Sequence, residues 1–198
     1  MPNSRLKSEG GNKMVTIKPY EPKYKEDVRQ VCINTGPLEA ATNPKMHDFI
    51  LFTYCDYYCE QEPENVFVLV DENDKAQGYC FAALDFKTYK KAFKPYMKKV
   101  KEIGAEYYLE TKGEVLLHEL YSKKYPAHLH IDINEPFRGN GNGSRMVAAQ
   151  LENIRSKGAK AIMLVVGASN TRGINFYKKN GFESIQKYAG GLVMAKEL

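Results

Sequence analysis

The chain has 198 residues, a formal net charge of +5 and four cysteines. That length allows one ordinary domain with a real core, and the mild basic excess suits a phosphate-bearing ligand or an acidic partner without demanding nucleic acid. The cysteine usage, with no secretory leader and no apolar run of membrane-spanning length, leads us to expect a cytoplasmic protein that contacts no membrane.

Residues 1–13 are polar, contain glycine and lack periodicity, so they read as a flexible tail ahead of a single domain at residues 14–198. A first strand is expected at 14–19. From Tyr24, the apolar residues Val28, Val31 and Cys32 recur at helical spacing, and that helix stops at Gly36 before Pro37. A second helix from about Pro44 carries Phe49, Ile50, Tyr54, Tyr57 and Tyr58 inward. Cys55 and Cys59 stand one helical turn apart with His47 upstream. A fourth ligand and a tight loop spacing are missing, so they read as buried thiols and no metal is expected. Residues 66–70 and 77–84 form two apolar strands around the turn Asp71-Glu72-Asn73-Asp74, which makes a hairpin.

Residues 86–122 read as a helical insertion. Phe86, Tyr89, Phe93, Tyr96, Met97, Val100 and Ile103 keep helical spacing with lysines on the other side, and Pro95 marks a kink or restart. A second helix is expected at 113–122. The lysines at 87–101 admit a nucleic-acid or membrane reading. A solvated face is favoured over it, because Glu102, Glu106, Glu110 and Glu114 soon dilute the charge, so nucleic acid is not an expected partner. From its position in the chain, the insertion is expected to shape a substrate pocket.

The informative stretch follows. An alternating strand, His128-Leu129-His130-Ile131-Asp132-Ile133, turns at Asn134-Glu135-Pro136 into Arg138-Gly139-Asn140-Gly141-Asn142-Gly143, and Met146, Val147, Leu151 and Ile154 then continue at helical period to Gly158. Glycines let backbone approach a phosphate, and the helix N-terminus adds partial positive charge. The continuous apolar run 161–166 completes a βαβ unit whose strands should be parallel. A helix at 171–180 closes at Gly181, and short strands at 182–188 and 192–195 end a mixed sheet. The glycines do not make a P-loop, since Ser144-Arg145 follows Gly143 where Lys-Ser or Lys-Thr is required. A dinucleotide fingerprint is weak, because the spacing is G-x-G-x-G and no acid ends the next strand.

Residues 138–143 match the pattern R/Q-x-x-G-x-G/A between a strand and a helix. Asn170, Gly173, Phe176-Tyr177, Lys179 and Gly181-Phe182 match N-x-x-A-x-x-F-Y-x-K-x-G-F, with glycine for alanine at 173. On these two motifs the chain resembles the GNAT superfamily of acyl-CoA-dependent N-acetyltransferases. More loosely, residues 125–132 resemble the acetyltransferase-like domains related to the C-terminal part of O-GlcNAcase, a branch in which catalysis is in question. The resemblance implies an α/β fold with a mixed, mostly antiparallel sheet and helices on both faces. Its central parallel pair would splay around coenzyme A, with the helical insertion placed before the central strand.

The resemblance also implies acetyl-CoA as co-substrate and a small-molecule or peptide amine as acceptor, in a monomer or homodimer. The backbone near Ile133 would bond the pantetheine arm, and the amides of Arg138, Gly139, Asn140, Gly141, Asn142, Gly143 and Ser144 would hold the diphosphate. Asn170 either reaches the pantetheine or caps the helix after it. Lys178 and Lys179 either meet the adenosine phosphate or favour the helix C-terminus. Tyr177 holds the family's position for protonating the departing thiolate, against a packed-core alternative. His128, His130 and Asp132 share one strand face. They form either a base or relay, with Asp132 nearest the cofactor and His130 next, or an ordering network. The opposite-parity positions where several family members keep the base, Ala127, Leu129 and Ile131, cannot titrate. A non-catalytic module that binds acyl-CoA and recognises a partner through the insertion is the rival reading.

Overall fold

The computed structural model describes residues 14–198, and the tail expected at residues 1–13 lies outside them. The apolar runs form β1 (Val15–Pro19), β2 (Val66–Asp71), β3 (Ala76–Ala83), β4 (Ala127–Ile133), β5 (Ala161–Gly167), β6 (Glu183–Lys187) and β7 (Gly191–Glu197). They join in one sheet of order β1-β2-β3-β4-β5-β7-β6. Only β4 and β5 are parallel neighbours among the described strands.

One sheet face is covered by α1 (Lys25–Thr35), α2 (Pro44–Tyr54), α3 (Asp56–Gln61), α4 (Phe86–Ala92), α5 (Lys94–Ile103) and α6 (Ala105–Tyr121). On the other face lie α7 (Asn142–Ser156) and α8 (Thr171–Lys179). The sheet separates two cores. Tyr79, Phe81 and Val68 look toward the first group of helices, while Leu69, Cys80, Leu129 and Ile133 meet Met146, Leu151 and Ile154 of α7.

Two boundaries differ from the sequence reading, and at Pro95 one of its two alternatives holds. The helix expected to run unbroken from Pro44 through Tyr58 breaks at Cys55, whose φ and ψ are −128° and −66°. The break lets the sequence neighbours Tyr57 and Tyr58 both enter the core, which a regular helix would turn about 100° apart. Pro95 stands in the first turn of α5, so it restarts a helix rather than bending one. The last insertion helix begins after Gly104, not at Gly113. A mid-helix glycine costs only about 1 kcal/mol, less than the packing of Tyr107, Tyr108 and Val115 against the core supplies. The lysines of α4 and α5 have local partners: Lys90 pairs with Glu119, and the Lys99 ammonium lies 5.0 Å from the Phe52 ring centroid.

Candidate active site

The seam between β4 and β5 is short. Only Ala127↔Ile162 and His128↔Met163 are in register, after which the strands part. The Asn134 N–H donates to Gln77 O on the β3 side at 2.8 Å. Backbone groups of that parity therefore face β3, and those of Leu129, Ile131 and Ile133 face the gap. Arg138 already occupies one of them, since its Nε donates to the Ile133 carbonyl at 2.6 Å. This leaves the Ile133 N–H and the Ile131 backbone on the open side.

Beyond the strand, Gly139, Asn140 and Gly141 take φ of 92°, 50° and 74° in succession, a left-handed run that swings the chain into the N-terminus of α7. Inside the turn the Asn142 Nδ2 donates to the Phe137 carbonyl at 2.9 Å, and Arg145 donates to Asn142 Oδ1. Asn142 thus holds the loop with its side chain. Its neighbour Gly143 lies so near α8 that a Cβ there would meet Phe176 at 3.0 Å. Asn170 caps α8 by accepting from the Gly173 N–H at 2.8 Å. A Cβ at residue 173 would meet the Asn170 side chain at 2.7 Å, so an alanine there would make the cap shift.

The resulting cleft, about 490 Å³, brings together His130, Asp132, Ile133, Arg138, Gly139, Gly143, Asn170 and Tyr177. Asn140, Gly141, Asn142 and Ser144 belong to the loop behind it and are not among its lining residues. Lys178 and Lys179 fall in the last turn of α8, where cations favour the helix dipole.

The polar face of β4 divides. Near the gap, the Tyr79 hydroxyl donates to Asp132 Oδ2 at 2.9 Å, and His130 Nε2 lies 3.1 Å from both Tyr79 Oη and Asp132 Oδ2. An ionised carboxylate only accepts, so Nε2 carries hydrogen and the neutral ring keeps its lone pair on Nδ1. Burial pulls the His130 pKa down, but the Asp132 hydrogen bond and charge more than offset that, and the net shift is upward. Deeper in, His128 Nε2 sits 2.9 Å from Tyr58 Oη, and burial holds its pKa well below the usual imidazole range. The Tyr177 phenol is buried too, and desolvation, helped by the Asp132 charge, pushes its pKa far above neutrality.

A second cavity of about 540 Å³ opens on the helical side of the sheet, and it shares His130, Val165 and Gly167 with the cleft. Its walls come from Tyr54 of α2, Tyr58 of α3, Tyr89 of α4, and Glu110, Glu114 and His118 of α6.

A family model for the acetyltransferase (GNAT) family matches residues 36–182. The chain belongs to that family. A stretch of 77 residues, 38% of this chain, is 34% identical to an uncharacterized N-acetyltransferase of Methanocaldococcus jannaschii, and it spans only 34% of that protein's length. The crystal structure of SsHAT superposes with a TM-score of 0.77 at 24% identity, over 92% of this chain and 98% of the other. The PaiA N-acetyltransferase of Thermoplasma acidophilum, solved in complex with coenzyme A, gives a TM-score of 0.62 at 13% identity, over 93% and 99%. At those identities the likeness establishes the fold, a mixed sheet with one parallel pair and helices around it.

Sequence reasoning missed several residues of this candidate site. Tyr79, which ties His130 to Asp132, sits inside a continuous apolar strand and carried no signal of its own. Glu110, Glu114 and His118 did carry one: they recur at every fourth residue and so share a helix face. Among the described residues, no helix is long and apolar enough to cross a membrane.

Proposed function

We propose that the protein moves an acetyl group from acetyl-CoA to a primary amine by direct attack within a ternary complex. One observation carries the reading: a cleft in the parted β4–β5 seam and a cavity on the helical side of the sheet meet at His130, Val165 and Gly167. The cleft fits the co-substrate. Its mouth has left-handed glycines and a helix N-terminus for a diphosphate, and its length has unpaired strand edge for an amide-bearing arm. A fold relative solved with coenzyme A supports the same reading.

Acetyl-CoA, when bound, supplies the thioester carbonyl. The chain's own groups handle position and protons. The Ile131 and Ile133 backbone orients the arm, and Arg138 fixes the strand end through the Ile133 carbonyl. His130, steadied by Asp132 and Tyr79, accepts the proton that the amine sheds as its C–N bond forms. Tyr177, held protonated by burial, gives a proton to sulfur as the C–S bond breaks. Asn170 keeps its capping role and stabilises the start of α8. Acetyl-CoA consumption over an amine panel, alongside calorimetry, tests the proposal. Turnover with at least one amine is expected, whereas tight binding with no turnover would favour the non-catalytic module.

A further inference from the structure

The second cavity is chemically one-sided. The protein as a whole is positive, yet this wall contains Glu110 and Glu114 and neither lysine nor arginine. The two glutamates are one helical turn apart on α6, so they present carboxylates to the same space. The histidines add acceptors. His118 Nδ1 lies 3.0 Å from the Glu114 carbonyl oxygen, which can only accept, so the ring's free lone pair is on Nε2. His128, only 2% exposed, lines the cavity with an Nδ1 that has no partner. Burial keeps both rings neutral, so they offer lone pairs rather than charge. A wall built this way recognises N–H donors and cations, and it repels carboxylates.

Resting on the acetyltransferase reading, we propose that this cavity selects a small aliphatic amine carrying a second cationic centre, which Glu110 and Glu114 hold while the free amino end reaches His130. The volume, about 540 Å³, is that of a small-molecule site. A bound ammonium also relieves the Glu114 carboxylate, whose charge burial and the neighbouring Glu110 disfavour.

The test compares three acceptors of equal chain length, diaminobutane, butylamine and aminobutyrate, plus a lysine peptide, with acetyl-CoA and the full chain. Diaminobutane should exceed butylamine in kcat/KM by about tenfold or more, mainly through KM, and aminobutyrate should be the poorest. In the double variant Glu110→Gln with Glu114→Gln, the ratio of the kcat/KM values for diaminobutane and butylamine should shrink to within about threefold. The wild-type comparison decides the matter whether or not the variant folds. Turnover of diaminobutane and butylamine at equal efficiency, or of the peptide alone, overturns this proposal and leaves acetyl transfer standing. Acetyl-CoA binding by calorimetry with no amine turned over overturns the transfer reading and this proposal with it.

Discussion

At the scale of single residues, the proposed chemistry rests on two protons whose carriers behave oppositely. Tyr177 stands apart from the Tyr79, His130 and Asp132 cluster and lines the cleft with its phenol kept neutral. Tyr177→Phe removes one hydroxyl and no packing, so kcat should fall by about 10²–10⁴ while calorimetric affinity for acetyl-CoA stays within about twofold. Loss of binding instead would mark the ring as structural. His130 must be neutral to accept a proton, and its pKa lies above the usual 6.5 because Asp132 outweighs burial. The rate should therefore rise with pH through an inflection above 6.5. In Asp132→Asn the carboxylate is gone and burial remains, so the inflection should move down. A pH profile of kcat/KM that does not shift in this variant assigns the titration to another group.

Among elements, α6 shows why part of the site was hidden in the sequence. Leu109, Leu116 and Leu120 are 65%, 51% and 60% exposed, while Thr111 and His118 are buried and Glu114 lines the cavity. The helix turns a mixed face inward, with Tyr107, Tyr108 and Val115 beside Thr111 and His118, so apolar periodicity alone does not single it out. The βαβ unit was legible because its signals agree: an alternating strand, glycines where φ is positive, a 3.6-residue apolar stripe and a continuous buried strand. What spacing along one chain cannot give is the side chain supplied across the sheet, and Tyr79 opposite Asp132 in the β3–β4 register is that case. Two glycines separate local freedom from packing. Gly113→Ala, with open space around it inside α6, should stabilise the fold by about 0.4–1 kcal/mol. Gly143→Ala pushes a methyl to 3.0 Å from Phe176 and should cost about 1–3 kcal/mol. Denaturant melts of both variants would show the opposite signs, and equal signs would refute the close approach of α7 to α8.

On the scale of the whole molecule, the insertion bridges a sheet whose middle seam holds by two registered pairs, and Tyr121 of α6 reaches Tyr188 beyond β6 at 2.9 Å between hydroxyls. Ionisable groups in and under that bridge couple the stability of the fold to pH. Burial lowers the His118 pKa to about 4 and holds that of His128 well below 6.5. As pH falls below 6.5, the unfolded chain takes up protons that these folded rings refuse, so stability is lost. Glu114 acts the other way. Burial, with Glu110 adding to it, raises its pKa from 4.5 to about 7, so the folded state protonates first and gains stability as pH falls through that window. Each fully linked proton is worth about 1.4 kcal/mol per pH unit. Between pH 6.5 and 5 the two histidines act against Glu114 and outnumber it, so together these three groups lower stability as pH falls. Glu114→Gln abolishes the opposing contribution. Its slope should steepen, and it should exceed the wild type at pH 8 by about 1–3 kcal/mol. Urea titrations at four pH values would read both slopes. A variant whose slope is equal or shallower would mean that Glu114 ionises freely beneath α6, and that closing the insertion over the sheet strips no water from it.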